Sequence, residues 1–459
     1  MSGRITTNML TNRYMSQLMG TYNNYNKLFE QADGNKLHRS SDGSVEYSKY
    51  LRYQNSLSNA GQYQTDVSTA MSWMKNTDAA LTKVTDLMST FAEKTINAGN
   101  STNNEDDMKD IGKELFSEIQ EMVNEMNSSL GERYLFAGQS DMIQPFSLSA
   151  NKVERGETKT LSEKQLLFFD DAAQTGTELS QFLVLNGSDN QTYYYNTNTG
   201  DVYTKDFVEN GYKDIINAGR HEVAPAQDAV GNIGTITAIS AQVAAATGVN
   251  DDGINTFFNA NGAITTSGSG YVCNNVVDSS GNTVLDSNGN PLELTFSTVK
   301  QYVVHYAGDD KKISMVTQMG MTNPKADTVN ATGQDVFGSD IFDENNPSGT
   351  AMINNLLLVV AKVESGDNEW AGSDGTTITT SADHQALFGQ TTIAARYQAY
   401  EAASAMLTTQ SESLTSDIND VIGADIAKLS TQLVQCQTLY SLALSMGSKI
   451  IPGTLADYL

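Results

Sequence analysis

The chain closes on LSTQLVQCQTLYSLALSMGSKIIPGTLADYL, residues 429–459. Leu429, Leu433, Cys436, Tyr440 and Ala443 fall alternately four and three positions apart, the spacing of a coiled-coil seam. Ile422 and Ile426 extend the stripe upstream, and apolar character persists to Leu455, Tyr458 and Leu459. Most termini fray unless something ties them down, so a seam this long demands a partner. Burying each large apolar side chain is worth roughly 1.5–3 kcal/mol. If helical throughout, residues 418–450 would measure about 50 Å at 1.5 Å per residue.

The opposite end offers that partner. Met15, Leu18, Tyr22, Tyr25 and Phe29 repeat the same alternation and have nothing nearby in sequence to pack on. Pairing of the two termini is the economical solution. Met9, Leu10, Leu439, Leu442 and Leu444 fall outside the stripes and point toward other copies of the chain.

Proline sets the wider architecture. The six prolines are 145, 225, 291, 324, 347 and 452, so residues 1–144 and 348–451 contain none. Proline breaks helix interiors, and helical periodicity fills both proline-free arms. Val67, Met71 and Met74 form one run, and Leu81, Val84, Met88 and Phe91 another after a polar break at Asp78. Ile111, Leu115, Ile119, Met122 and Met126 form a third, with Gly131 suited to a left-handed helix cap. Helix is expected again at GTAMINNLLLVVAKVES (349–365), and from near Gly389 to Ile450 with breaks around Asp417–Gly423. In the middle, QLLFF, QFLVL, QTYYY, LELTF and QYVVHY read as strands, and DSSGN and DSNGN as turns. Residues 223–253 are ambiguous between strand and short helix. The fold class is α+β: long helical-bundle or coiled-coil arms from both termini, with a mostly-β domain or two inserted between.

Bulk properties narrow the partners. The 459 residues carry 54 acidic and 28 basic side chains, a net charge of −26. Such a surface repels phosphate backbones and anionic lipid, so neither nucleic acid nor membrane insertion is expected. Two cysteines, Cys273 and Cys436, build no disulfide framework and read as small buried apolar residues. The N-terminus lacks the apolar core of a cleavable signal peptide.

Catalytic patterns are missing. His38, His221, His305 and His384 are scattered, and HEVAP at His221 puts Pro225 where a zinc-binding HExxH motif needs its second histidine. No nucleophile elbow, phosphate loop or dinucleotide fingerprint occurs. The DSNGNPLE stretch lacks the glycine an EF-hand loop requires at its sixth position and reads as a turn. KLHRSSDG (36–43) is a small basic patch, a solvated loop or a dock for an acidic neighbour. No enzyme activity, cofactor or metal is expected.

Several stretches resemble one family. LGERYLFAGQSDMIQPF, with Arg133, Tyr134, Leu135, Phe136, Ala137 and Gly138 at its centre, is similar to a segment of flagellar hook–filament junction proteins. These are the third hook-associated proteins of the flagellin superfamily. YAGDDKKISM from Tyr306 and NATGQDVFG from Asn330 resemble two more of that family's segments, and PGTLADYL its tail. QADGNKLHRSSDG stands at the family's helix connector, with Ser41, Asp42 and Gly43 where Asp-Asp-Pro is usual.

The resemblance implies an extracellular structural protein of the bacterial flagellum, exported unfolded without a cleaved signal peptide. It implies an adaptor layer joining hook to filament. The partners implied are other copies of the chain, the hook-side junction protein, flagellin and, before export, a chaperone. Residues 1–42 with 418–459 would line the channel, 43–144 with 348–417 would form a helical rod, and 145–347 would face outward. Two alternatives stand beside it: a flagellin filament subunit, and a tube-borne β domain acting as an adhesin, for which Tyr193, Tyr194 and Tyr195 could form an aromatic platform, although such a triplet more often packs across strands.

Overall fold

Both proline-free arms fold as helices and the middle folds as short antiparallel strands, an α+β chain. The structure, a computed structural model, describes residues 7–169, 181–196, 200–213, 232–236, 272–273, 276–278, 280–286, 288–313, 328–342 and 349–450. The chain divides into two compact units, residues 1–68 with 402–459 and residues 69–401.

The first unit is built on α1 (Thr7–Glu30) and the C-terminal helix Ile426–Ile450, together with parts of two long helices, α2 (Ser44–Ala98) and Thr376–Ile422. The terminal helices pack antiparallel. The Tyr14 hydroxyl donates to the Ala443 carbonyl at 2.7 Å, the Cys436 thiol lies 3.6 Å from the Thr21 carbonyl, and the Tyr22 and Tyr440 rings stand 5.9 Å apart. Beyond the end of α1, Lys36 N–H donates to the Ile422 carbonyl at 2.6 Å, and Asn35 bridges Gly423. That bridge sits where the C-terminal arm breaks, so residues 418–450 are two helices separated at Gly423–Asp425, within the window of breaks expected from sequence.

In the second unit α2 continues through Asp78 without interruption. Asp78 interrupts the apolar stripe and not the helix, and its Oδ1 accepts from Gln390 Nε2 at 3.3 Å. Met74, Leu81, Val84, Met88 and Phe91 are fully buried along one face. They meet α3 (Glu105–Met126), which starts at a capping box in which Asn104 and Asp107 satisfy each other's backbone N–H groups. Lys94–Glu118 at 2.8 Å and Lys83–Glu125 at 3.0 Å set α2 and α3 antiparallel. Helix α3 ends at Met126. Gly131 is left-handed (φ +67°), but it turns the hairpin of β1 (Ser129–Leu130) and β2 (Arg133–Tyr134) rather than capping the helix.

Helix Ala351–Glu364 is apolar all round and buried on nearly every face, as a central helix should be. Its polar pair is accommodated rather than exposed: Asn354 Oδ1 accepts from Val304 N–H at 2.8 Å and its Nδ2 donates to Asp340 at 3.2 Å. The next long helix begins at Thr376, a dozen residues before the expected start near Gly389. The threonine-rich opening hides it, since Thr376, Thr377 and Thr380 turn their hydroxyls back onto carbonyls four residues upstream.

The β region is an eight-stranded sheet plus small pairs. Along the sheet run Val272–Cys273, Leu294–Phe296, Gln181–Gly187, Thr192–Tyr195, Asp201–Thr204, Asn232–Ile236 and Val276–Val277, with Thr158–Thr160 also pairing the third of these. The two edge strands are sequence neighbours. Cys273 and Val276 are three positions apart, so their Cα atoms lie within about 11 Å, and the sheet must curl until its edges meet. Leu183, Leu185, Tyr193, Tyr195, Val202, Val276, Leu294 and Phe342 form one apolar cluster, filling the interior. Leu161, Phe169, Phe182, Val184, Tyr194, Tyr203 and Phe207 form another on the alternate positions of the same strands. QLLFF is therefore helix and not strand: Glu163–Phe169 brings Phe169 onto that outer face. QYVVHY is split between two strands, Thr298–Gln301 and Val304–Tyr306.

DSSGN and DSNGN are turns as expected and share one geometry. Asp278 accepts from Ser280 and Asn282 N–H, Asp286 from Asn288 and Asn290 N–H, and Gly281 and Gly289 take φ near +80°. Cys436 is buried and free; Cys273 is in an edge strand. Residues 223–253, apart from the strand Asn232–Ile236, and HEVAP lie outside the described residues.

Candidate assembly surfaces and the motif cluster

The terminal hairpin places the sequence-derived residues unequally. On the C-terminal helix Leu429 and Cys436 are buried and Leu433, Tyr440 and Ala443 half-buried, so this stripe is the seam. Ile422 is half-buried beside the break between the two helices, while Ile426 and Leu444 are exposed. Leu459 lies outside the described residues. On α1 Leu18 and Tyr25 of the expected stripe face the partner helix, and Tyr22 flanks them with its ring against Tyr440. The seam there is Thr11, Tyr14, Leu18, Thr21, Tyr25 and Leu28, displaced by one position from Met15, Tyr22 and Phe29, which are 47%, 48% and 62% exposed. Thr11 and Thr21 carry the heptad spacing without the hydrophobicity, and the greasier flank masks it.

Those exposed residues form faces of their own. At about 100° per residue, Met15, Met19, Tyr22 and Phe29 lie roughly a quarter-turn from the α1 seam. Leu439, Leu442 and Met446, all exposed by more than half, lie roughly a quarter-turn from the other seam, in the opposite sense. In an antiparallel pair the two stripes fall on opposite sides of the hairpin, with Ile426 and Leu444 on the α1 side. Isolated exposed apolar residues are ordinary; stripes of them mark contact surfaces.

The connector after α1 is closed on itself. Lys27 pairs with Asp42, Arg39 with Glu30 and His38 with Asp33, and Lys36 Nζ donates to the Asp420 carbonyl. Asp42 accepts from the N–H groups of Arg39 and His38, which hold its carboxyl below the usual range. The basic patch thus meets its own acidic neighbours, and Asp42 and Gly43 turn the chain into α2.

In the other unit, the three family-like segments converge. Tyr306 donates its hydroxyl to the Phe136 carbonyl at 2.8 Å, Gly333 N–H reaches the same carbonyl at 3.0 Å, and Asp309 N–H donates to the Ala137 carbonyl at 3.1 Å. Phe136, Phe146, Tyr306 and Phe337 stack edge-on or tilted at 5.0–5.5 Å. Gly138 is left-handed (φ +69°), and a Cβ there would come within 2.1 Å of the Asp309 carbonyl oxygen. Thr332 and Asp335 cap the short helix Gly333–Phe337, and Lys312 pairs with Asp335 at 2.8 Å. Arg396, from the long helix, donates to the Asn330 carbonyl at 3.2 Å. Arg133 pairs with Asp141 and places its guanidinium 5.5 Å from the Trp73 ring centre. Burial pushes the Tyr306 phenol well above its ordinary range. These groups are engaged in holding the three segments together.

The tyrosine triplet is no platform. Tyr193, Tyr194 and Tyr195 alternate between the two apolar clusters and are all buried. Among the described residues no group of three or more His, Cys, Asp or Glu side chains is placed to hold a metal ion, and no helix is long and apolar enough to cross a membrane.

No family model matches the chain. Flagellar hook-associated protein 3 of Salmonella typhimurium (strain LT2) is 28% identical over 156 residues, 34% of this chain and 49% of that protein. The chain is similar to flagellar hook-associated protein 3. The resemblance read from RYLFAG and its companion segments is thereby shown, and the chain spans about half the length of the curated relative it matches. Among solved structures, a putative flagellar hook-associated protein from Vibrio parahaemolyticus is 11% identical, with 83% of this chain and 100% of that one covered and a TM-score of 0.42. The flagellar junction protein FlgL from Legionella pneumophila is 12% identical, covering 78% and 100%, with a TM-score of 0.32. Likenesses at these scores carry no weight beside the sequence match to hook-associated protein 3.

Proposed function

We propose that this chain is a structural, non-enzymatic adaptor of the bacterial flagellum that joins hook to filament. The sequence match to hook-associated protein 3 is the observation that carries this reading. The apolar stripes on both sides of the terminal hairpin supply a means. One copy would set its Met15–Phe29 face against the Leu439–Met446 face of the next, a head-to-tail contact that repeats around a ring or layer. The hook-side junction protein and flagellin would then meet the two ends of that layer. The chain would be exported to the cell exterior without a cleaved signal peptide, its apolar C-terminal helix shielded by a chaperone until assembly. Residues 1–42 with 418–459 would line the channel, 43–144 with 348–417 would form the rod, and 145–347 would face outward.

Leu433→Asp is expected to block incorporation, but Leu433 also faces α1, so that variant opens the hairpin as well. The functional test is deletion of the gene in its own organism. Electron microscopy should then show bare hooks, with flagellin free in the medium. Bare hooks without exported flagellin would make the chain the filament subunit, and normal filaments would remove it from the structure altogether.

A further inference from the structure

Strand Thr158–Thr160 carries Lys159 into an unusual setting. Its side chain is only 8% exposed, the most buried of the ion-paired lysines among the described residues. The ammonium contacts the Asp374 carboxylate, from the π-helical segment Ala371–Gly375 that leads into the long helix, and lies 3.8 Å from Glu209 Oε1 and 5.8 Å from the Tyr194 ring centre. Glu209 is itself fixed by the Tyr194 hydroxyl at 3.0 Å. Phe182, Val184, Tyr194, Phe207 and Val208 form the apolar cluster at this spot. An amine, a carboxyl group that could accept it and a second carboxyl within reach of the same nitrogen are thus held together at the edge of an aromatic core.

Lys159 is almost wholly enclosed, whereas the Asp374 and Glu209 side chains beside it are 23% and 31% exposed. Fixed proximity replaces a bimolecular encounter, and effective molarities in well-oriented systems reach about 10⁵ M or more. We propose that Lys159 and Asp374 become joined by an intramolecular isopeptide bond, with Glu209 carrying the proton.

The balance is simple. The ammonium passes one proton to the Asp374 carboxylate, leaving a neutral amine and a carboxylic acid, and the freed Nζ lone pair attacks Asp374 Cγ, forming one C–N bond. Glu209 takes a second proton from that nitrogen and delivers it to a carboxyl oxygen of Asp374. The C–O bond then breaks, one water leaves and Glu209 returns to its starting state. No oxidant, reductant or cofactor takes part. The product would tie the strand at residue 159 to the π-helical segment at 374 and close all the intervening strands into one covalent loop. Such a joint would resist forced extension, which goes beyond the adaptor reading and does not depend on it.

The test is the intact mass of the purified full chain under denaturing conditions, with peptide mapping. The expected result is a mass one water below that of the sequence, and a branched peptide containing both Lys159 and Asp374. Lys159→Arg keeps the cation but cannot form this bond, and it should have the full mass of its sequence, as should Asp374→Ala. Glu209→Gln should convert more slowly by about a hundredfold or more. A folded wild-type chain at full sequence mass would leave only an ion pair and overturn the proposal. So would a water loss that persists in Lys159→Arg.

Discussion

Tyr14 donates its hydroxyl hydrogen to the main-chain carbonyl of Ala443 at 2.7 Å, across 429 positions of sequence. This contact, with the Leu429–Ala443 seam, makes the two ends of the chain one structural element. Tyr14→Phe removes the donor and leaves the ring. The expected loss is about 1 kcal/mol in hairpin stability, read as faster amide exchange in the C-terminal helix, with exchange in residues 69–401 unchanged.

Gly138 has two reasons to be glycine: a left-handed backbone and no room for a Cβ beside Asp309. Gly138→Ala should lose about 2 kcal/mol or more from strain and crowding combined. Thermal unfolding of the 69–401 unit should move down accordingly, because the Asp309 carbonyl oxygen is backbone and cannot swing away even if the equally close Asp309 carboxylate does.

Phe342 is fully buried, packs with Leu183, Tyr195 and Leu294 inside the curled sheet, and lies 4.8 Å from the guanidinium of Arg155, which pairs with Asp340. Phe342→Ala should cost about 3–5 kcal/mol as a cavity variant. Denaturant titration would register it in the 69–401 unit, with the terminal hairpin unaffected.

The connector gives a pH prediction. The Arg39 and His38 backbone N–H groups and Lys27 hold the folded Asp42 carboxyl below the ordinary aspartate range. A carboxyl lowered on folding adds stability above its unfolded value, and that stability is lost as pH falls through the folded one. The 38–42 turn should therefore loosen only below about pH 4, seen as faster exchange of the His38 and Arg39 amides. Asp42→Asn should abolish that step and loosen the turn at neutral pH.

Much of this was legible in the sequence. The Leu429–Ala443 seam stands out because its flanks are mostly polar at the start, and the proline-free arms mark the helices. The α1 seam was read one position off because Met15, Tyr22 and Phe29 are more apolar than the threonines that actually face the partner. Hydrophobicity there tracks an outward face. The helix at QLLFF looked like strand because a short apolar run has no period to decide it. Curling of the sheet could not be read at all: Leu294–Phe296 pairs with residues 185–187, more than a hundred positions away, and no local pattern encodes that register. The convergence of Phe136, Tyr306 and Phe337 was foreshadowed only by family-like segments, whose spacing gave no hint that they meet.

Association of copies through the two faces of the terminal hairpin is tested most directly by complementing the deletion strain with Leu439→Asp/Leu442→Asp. Both side chains are more than half exposed, so the hairpin should still fold. That variant should be made and exported yet leave bare hooks in electron micrographs, with flagellin in the medium. Filaments of normal length and number from that variant would contradict association through these faces.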